Sequence, residues 1–446
     1  MRWWIAPCGA LVVISACRVQ AADVSGEIGV GAIYSDNIRL VPSGAEGDTI
    51  GVATTDFLIH EQTRRFDADV AADLQYLTYG HDIYSSELLG DLTGYGKFAV
   101  VPGRLEWVLQ DNFGQQQITP GVPVTPLNLE NINYLSTGPD LNVPLGAQLH
   151  ALLSGRYSKV SDQLDDLNNN RGDASAALVH PLSATSNVSL DASIERVNYD
   201  GDVESPDYTT RQGYLHYDAQ GARSKLTADL GYDDALVMGT RSGGALVRAD
   251  VTRSLSGSSS LELSLGQNIS DVGNLLRQME GTSNVTLGAA ALQRSEDPFI
   301  SRYATAVWRF DRNRTGLALA LSQYRETHTV EGDLDRTRTE VDANARRNLS
   351  EALVLNVVAS YARDSYASFV TPNDSDLSGT VDLAWHIGRR VQVHAQYSRI
   401  DHRSDALLDT YKEDRFMLTA GLVTGNWSAP GIGMSSPPVY TSAPKL

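Results

Sequence analysis

The hydrophobic and polar positions of this chain alternate with a period of two. From Phe66 to Tyr79 the even positions run Phe66, Ala68, Val70, Ala72, Leu74 and Tyr76, while Asp67, Asp69, Asp73 and Gln75 stand between them. In Leu377 to His386, Leu377, Gly379, Val381, Leu383 and Trp385 alternate with Ser378, Thr380, Asp382, Ala384 and His386. Val391, Val393, Ala395 and Tyr397 alternate with Gln392, His394, Gln396 and Ser398. A strand sends successive side chains to opposite faces, so each segment predicts one apolar and one wet face.

The pattern recurs about twenty times, in segments of roughly 11–16 residues by the period-two criterion. The predicted strands are 25–38, 49–61, 65–79, 86–101, 104–117, 130–142, 146–160, 170–182, 186–200 and 207–220. They continue over 223–236, 242–254, 258–273, 297–311, 314–328, 336–349, 352–366, 375–387, 390–403 and 409–424.

The connections alternate long and short. Short ones are Pro102-Gly103, Val143-Pro144-Leu145, Gln220-Gly221-Ala222, Arg312-Asn313-Arg314 and Gly388-Arg389; long ones are 39–48, 118–129, 161–169, 274–296 and 367–374. Outer-membrane barrels have short periplasmic turns and long external loops. With a periplasmic N-terminus the series starts long and keeps that order to the end. The fold class predicted is all-β: a transmembrane antiparallel up-and-down β-barrel of about 20 strands, within 18–22, with short periplasmic turns and long extracellular loops. A soluble propeller of five four-stranded blades would give the same number, but its strands run shorter and a 40–50-residue repeat is missing.

The first residues change the picture from soluble to exported. Arg2 precedes an apolar stretch, Trp3 to Ala16, that is too short to span a bilayer. Val19-Gln20-Ala21 offers small residues for signal cleavage, and Ile14-Ser15-Ala16-Cys17 offers the competing lipoprotein pattern. The predicted organisation is a signal peptide over 1–22, a barrel over 23–425 and a flexible Ser/Pro/Gly-rich tail over 426–446. The location predicted is the cell outer membrane, with lipid and lipopolysaccharide as surroundings.

Composition then excludes several chemistries. The only cysteines are Cys8 and Cys17, so a disulfide framework or a thiolate metal site is not expected. A net charge of −18 argues against nucleic acid. The nine histidines are scattered, with no His-Glu-x-x-His and no Gly-x-Ser-x-Gly. No cofactor, no metal and no enzymatic activity are expected.

Three stretches carry a resemblance: Tyr34-Ser35-Asp36-Asn37-Ile38, Pro102-Gly103-Arg104-Leu105-Glu106-Trp107, and Asn128 to Leu141 (NLENINYLSTGPDL). With them the chain, over about 25–425, resembles the family of outer-membrane β-barrel porins encoded near exopolysaccharide biosynthesis and export genes. The resemblance implies an outer-membrane barrel with exopolysaccharide and export machinery as partners, and supplies no functional residues. The strand with Phe416, Leu418, Ala420 and Leu422 looks like the closing strand read by the insertion machinery, although the tail follows it.

In such a barrel the apolar faces meet lipid and the polar faces line the lumen. Asp67, Asp69, Asp73, Asp382, His394 and Gln396 are the candidate lumen residues. Tyr34, Tyr79, Tyr199, Trp308, Phe310 and Trp385 are candidates for the interfacial girdles. The longest loop, 274–296, is the candidate plug. Arginines cluster in short turns (Arg64-Arg65, Arg312, Arg314, Arg346-Arg347, Arg389-Arg390). Acids cluster in long loops (Asp162, Asp165, Asp166; Glu331, Asp333, Asp335; Asp374, Asp376), predicting an acidic outer rim and a basic inner mouth. If a hairpin turns around Ile387 to Arg389, Asp382 sits opposite His394, which is half of a hydrolase triad or a satisfied pair on a wet face. The functional expectation is a porin-like channel for solutes or exopolysaccharide. The alternatives are a non-conducting barrel that scaffolds an export complex, and a barrel hydrolase.

Overall fold

The computed structural model describes residues 22–164, 167–200, 207–278, 295–368 and 370–425. The predicted signal peptide and tail lie almost wholly outside the described residues. The first ten strands are β1 (Asp23–Ser35), β2 (Asp48–Gln62), β3 (Phe66–Tyr79), β4 (Glu87–Val101), β5 (Leu105–Gln117), β6 (Leu129–Pro144), β7 (His150–Asp162), β8 (Asn169–Ser183), β9 (Ser186–Tyr199) and β10 (Tyr208–Gln220). The next ten are β11 (Ser224–Val237), β12 (Thr240–Ser256), β13 (Ser259–Ser270), β14 (Phe299–Arg312), β15 (Thr315–His328), β16 (Arg336–Asn348), β17 (Leu353–Tyr366), β18 (Asp374–Ile387), β19 (Val391–Ser404) and β20 (Tyr411–Thr424). A short helix, α1 (Val272–Gln278), follows β13.

Each strand pairs antiparallel with its neighbours in sequence, and β1 pairs with β20 from Gly26↔Thr424 to Ser35↔Arg415. The sheet is therefore a closed 20-stranded barrel with no free edge. Three ends differ from the sequence reading by three or more residues. β1 stops at Ser35 rather than residue 38, and β13 gives way to α1 after Ser270. β7 starts at His150 rather than 146, because Pro144 still pairs with His150 and Gly146 turns between them at φ 142. The long–short alternation is broken once. β11 and β12 meet on the long-loop side through Met238-Gly239 alone, with φ of 50 and 82, the left-handed pair of a tight hairpin.

The faces follow from exposure and register. On β1, Ile28 and Val30 are each 65% exposed while Glu27 is 6% exposed, so the even positions face out. Carried around by the pairings, this puts Leu317, Leu319 and Leu321 outside on β15 and Leu377, Val381, Leu383 and Trp385 outside on β18. Phe66, Phe98, Trp107 and Trp385 project outward near the short-turn end. Tyr34, Tyr397 and Phe416 gather outside towards the long-loop end, with the rings of Tyr397 and Phe416 4.9 Å apart. Trp308 and Phe310 also face out, but Tyr79 and Tyr199 point inward and are no part of a girdle. They belong to interior clusters: Tyr79 packs with Ile33, Ile50, Val52 and Leu77, and Tyr199 packs beside Val197, Tyr208 and Val237. At this end β2 shows Thr49 and Gly51 outside and Ile50 and Val52 inside. The apolar face has changed sides because the inward positions pack beneath the β1–β2 connection and Ile38.

Candidate functional site: the inner wall of the barrel

Four carboxylates stand side by side across the middle of the inner wall. Glu27 of β1 is registered with Asp56 of β2, Asp56 with Asp73 of β3, and Asp73 with Asp91 of β4. All four project inward. Adjacent strands lie about 4.8 Å apart, so the row places like charges at the closest spacing a sheet provides. Among the described residues no arginine or lysine forms an ion pair with any of the four.

The row extends through His394. Its Nε2 lies 3.5 Å from Glu27 Oε2 and its Nδ1 lies 3.1 Å from Asp382 Oδ1. Asn356 of β17 donates to Asp382 Oδ2 at 3.2 Å. Strand β20 runs between His394 and Glu27, and Gly421 makes the crossing feasible. A Cβ there would sit 2.1 Å from Glu27 Oε1. The polar track thus runs from β17 through β18, β19 and β1 to β4.

The opposite side of the barrel is filled. Asp271 caps α1: its Oδ1 accepts from Asn274 N at 3.0 Å, and its carbonyl accepts from Leu275 N at 2.9 Å. The same carboxylate lies 2.8 Å from Arg171 Nη1 of β8. Burial pushes the Asp271 carboxyl up, but the Arg171 guanidinium more than offsets this and holds it below the usual carboxylate range. Asn274 donates to Glu195 of β9 at 3.1 Å. At the other end Gln110 and Asn112 of β5 donate to the carbonyls of Arg277 and Leu276, at 2.7 and 2.8 Å. These are carbonyls that a helix end leaves unsatisfied. Val272, Leu275 and the fully buried Leu276 pack among Ile132, Tyr134 and Val160 on one side and Phe299, Tyr303 and Tyr324 on the other. Since β6 and β14 lie far apart around a 20-stranded ring, this cluster bridges the lumen. The start of the longest loop is therefore folded inward; its residues 279–294 lie outside the described residues.

Of the six residues picked from the sequence, all are placed on the inward face. Asp73 is in the row. Asp67 and Asp69 sit nearer the short-turn end, where Asp69 meets His60 at 2.6 Å and Asp67 is registered with Lys97. Asp382 and His394 are not directly opposite, as the assumed hairpin had them. The turn spans Gly388 to Arg390, which sets Asp382 against Gln396 and His394 against Ala384; the ion pair forms along the diagonal. The second ring nitrogen faces Glu27 rather than a serine hydroxyl, so a hydrolase triad is not assembled. Glu27, Asp56 and Asp91 were missed, because the row exists only across four strands and no single segment displays it.

The charge map also changes. Arg346 and Arg347 lie within β16, with Arg346 inward, and Asp374 and Asp376 lie within β18 facing the lumen, not in a loop. Arg64-Arg65, Arg314 and Arg389-Arg390 do occupy short turns. Asp165 and Asp166 lie outside the described residues. Among the described residues no three His, Cys, Asp or Glu groups are arranged to hold a metal ion.

Comparison with known proteins gives three results. No curated protein matches the chain. Solved structures with a similar arrangement include the unliganded ferric citrate transporter FecA, at 10% identity and TM-score 0.46, covering 90% of this chain and 78% of that one. They also include the siderophore receptors PirA from Pseudomonas aeruginosa (12%, TM-score 0.43, 90% and 80%) and from Acinetobacter baumannii (8%, TM-score 0.47, 92% and 81%). Residues 292–423, from just before β14 to the end of β20, match the family model described as "Putative beta-barrel porin 2". That match covers the last seven strands of the closed barrel and lies apart from the three motifs near the other end; it bears out the resemblance to a β-barrel porin family.

Proposed function

We propose that this chain is an outer-membrane porin-like channel that favours cations, its passage running along the acidic side of the inner wall. The long connections face the cell exterior and the short turns the periplasm. One observation carries the reading: the registered row Glu27, Asp56, Asp73 and Asp91. Like charges directly opposite destabilise a sheet, so stability alone gives no reason to build such a row. In a lumen, a ring segment of carboxylates concentrates cations and turns anions away. Helix α1 narrows the other side and confines passage to this one.

Purified barrel in a planar bilayer under a salt gradient tests this. The expected result is discrete conductance with a reversal potential on the cation side. Anion preference would sink the reading, and a folded barrel that never conducts would favour the scaffold instead. An exopolysaccharide cargo, which the resemblance implied, draws no support from this wall, and an anionic polymer would be repelled by it.

A further inference from the structure

The outer surface carries a second charged feature, of the opposite sign. On β15 the outward positions Leu317, Leu319 and Leu321 are followed by Gln323 and Arg325. On β14, Ala306 and Ala304 are followed by Arg302; on β17, Ala359 and Tyr361 are followed by Arg363. All three arginines are exposed. Each is at or just beyond the point where the apolar band ends on the long-loop side. Arg302 and Arg325 are registered directly opposite one another, the costliest placement for like charges. The strand between Arg325 and Arg363 adds only the hydroxyls of Thr337 and Thr339.

Elsewhere on this rim three outward arginines have carboxylates, while Arg196 donates to Asn198 at 2.9 Å and Arg211 is registered opposite Asp234. Arg399 binds Asp414 at 3.0 Å, Arg403 meets Asp401 at 3.3 Å, and Arg241 meets Asp234 at 3.3 Å. Among the described residues Arg302, Arg325 and Arg363 have none; Arg302 donates only to Gln267, at 2.7 Å. A patch of cations without counter-charge, at the edge of an apolar band, matches a lipid whose acyl chains cover the band and whose anionic headgroup lies at its border. Guanidinium groups suit phosphate, which they bind through paired hydrogen bonds.

We propose that Arg302, Arg325 and Arg363 form an exterior site for the phosphates of an outer-leaflet phosphorylated glycolipid of the lipid A class. The proposal rests on the orientation given under Proposed function, which puts this rim in the outer leaflet. Native mass spectrometry of the full-length barrel, released from detergent after incubation with bisphosphorylated lipid A, tests it. Wild type and R399Q should retain the lipid. The triple variant R302Q/R325Q/R363Q, shown to be folded by its heat-modifiable mobility, should retain at least tenfold less. Lipid A stripped of both phosphates should behave on wild type as bisphosphorylated lipid does on the triple variant.

Equal retention by the triple variant would overturn the site. Retention of phosphatidylglycerol as strong as that of lipid A would overturn the choice of glycolipid. Orientation is read separately, with Leu408→Cys in the exposed β19–β20 connection and a membrane-impermeant maleimide on intact cells. Labelling above the parent chain is expected. No labelling would overturn the proposal by removing the outer leaflet from this rim, whatever the mass spectra show.

Discussion

Two parts of one inner wall handle charge in opposite ways. Along β8 and β9, Arg171 lies against Asp271 and Glu195, and α1 covers the group. Along β15 to β17, Arg336 takes Glu326 and Arg338 takes Asp364. Along β1 to β4 the carboxylates Glu27, Asp56, Asp73 and Asp91 adjoin one another; among the described residues no arginine or lysine pairs with them, and His394 meets Glu27 at the end. A buried charge needs a partner, whereas a charge that water and ions reach does not. On the proposed reading, the paired side is packed interior and the unpaired side is left for mobile ions.

The largest change should come from removing the packing on the filled side. Leu276 is fully buried between walls far apart around the ring. A Leu276→Asp substitution puts a lone carboxylate there, where an unpaired buried charge is costly. The helix should leave the wall and single-channel conductance should rise severalfold, with the barrel still folded. Unchanged conductance would mean that α1 does not narrow the passage. Leu276→Ala, which removes only packing at a cost of about 2–5 kcal/mol, should give an intermediate effect.

Next comes the open side. Replacing Asp56, Asp73 and Asp91 together by asparagine removes three carboxylates without changing shape. The reversal potential should fall severalfold towards zero while conductance at high salt changes little, since screening already weakens the row there. The variant should be no less stable than wild type, because like charges have been removed. A loss of stability would show that the row is structural, and would erase the contrast between the two sides.

These sides were not equally legible in the sequence. Period two marked every strand and put Asp73, Asp382 and His394 on the wet face, because alternation is a property of one segment. Register is a property of two segments, and one turn residue moved Asp382 from His394 to Gln396. The row needs three registers at once, so Asp56 and Asp91 looked like any other polar strand positions. The inward helix was harder still. Val272, Leu275 and Leu276 carry too short an apolar pattern to separate from the end of β13, and the residues that hold the two ends of the helix, Gln110, Asn112 and Arg171, lie on other strands. At the long-loop end of β2 the apolar face itself changed sides, since the outside there is water and the inside is packed.

Acid should affect the filled side late. Arg171 holds the Asp271 carboxyl below its ordinary value, so folding depresses this group. The sign follows: its contribution to docking α1 is whole above the unfolded carboxylate value, near 4, and is lost as pH falls through the lower folded value. Conductance should therefore show no step from Asp271 between neutral pH and about pH 5, and should rise only below the ordinary carboxylate range. In Arg171→Gln the burial is left without its counter-charge, so the rise should move to higher pH. If wild type and Arg171→Gln opened at the same pH, Arg171 would not be what keeps the helix seated.

The smallest effect probes the joint of the open side, where Gly421 lets Glu27 and His394 meet across β20. In Gly421→Ala the new methyl would fall 2.1 Å from Glu27 Oε1, so the carboxylate must swing away. Because the obstacle is the end of a flexible side chain rather than backbone, the strain itself is small. What is lost is the contact of Glu27 with His394, now 3.5 Å. The expected cost is about 1 kcal/mol, in the range of a partly buried polar contact. Neighbouring sites couple, so the cycle with Glu27→Ala separates the causes. In that background the methyl has room, and Gly421→Ala should cost close to nothing. An equal cost in both backgrounds would place the strain in the β20 backbone. The row would then end at Glu27 with His394 belonging to the Asp382 pair alone, and the two sides of the wall would differ in one joint fewer.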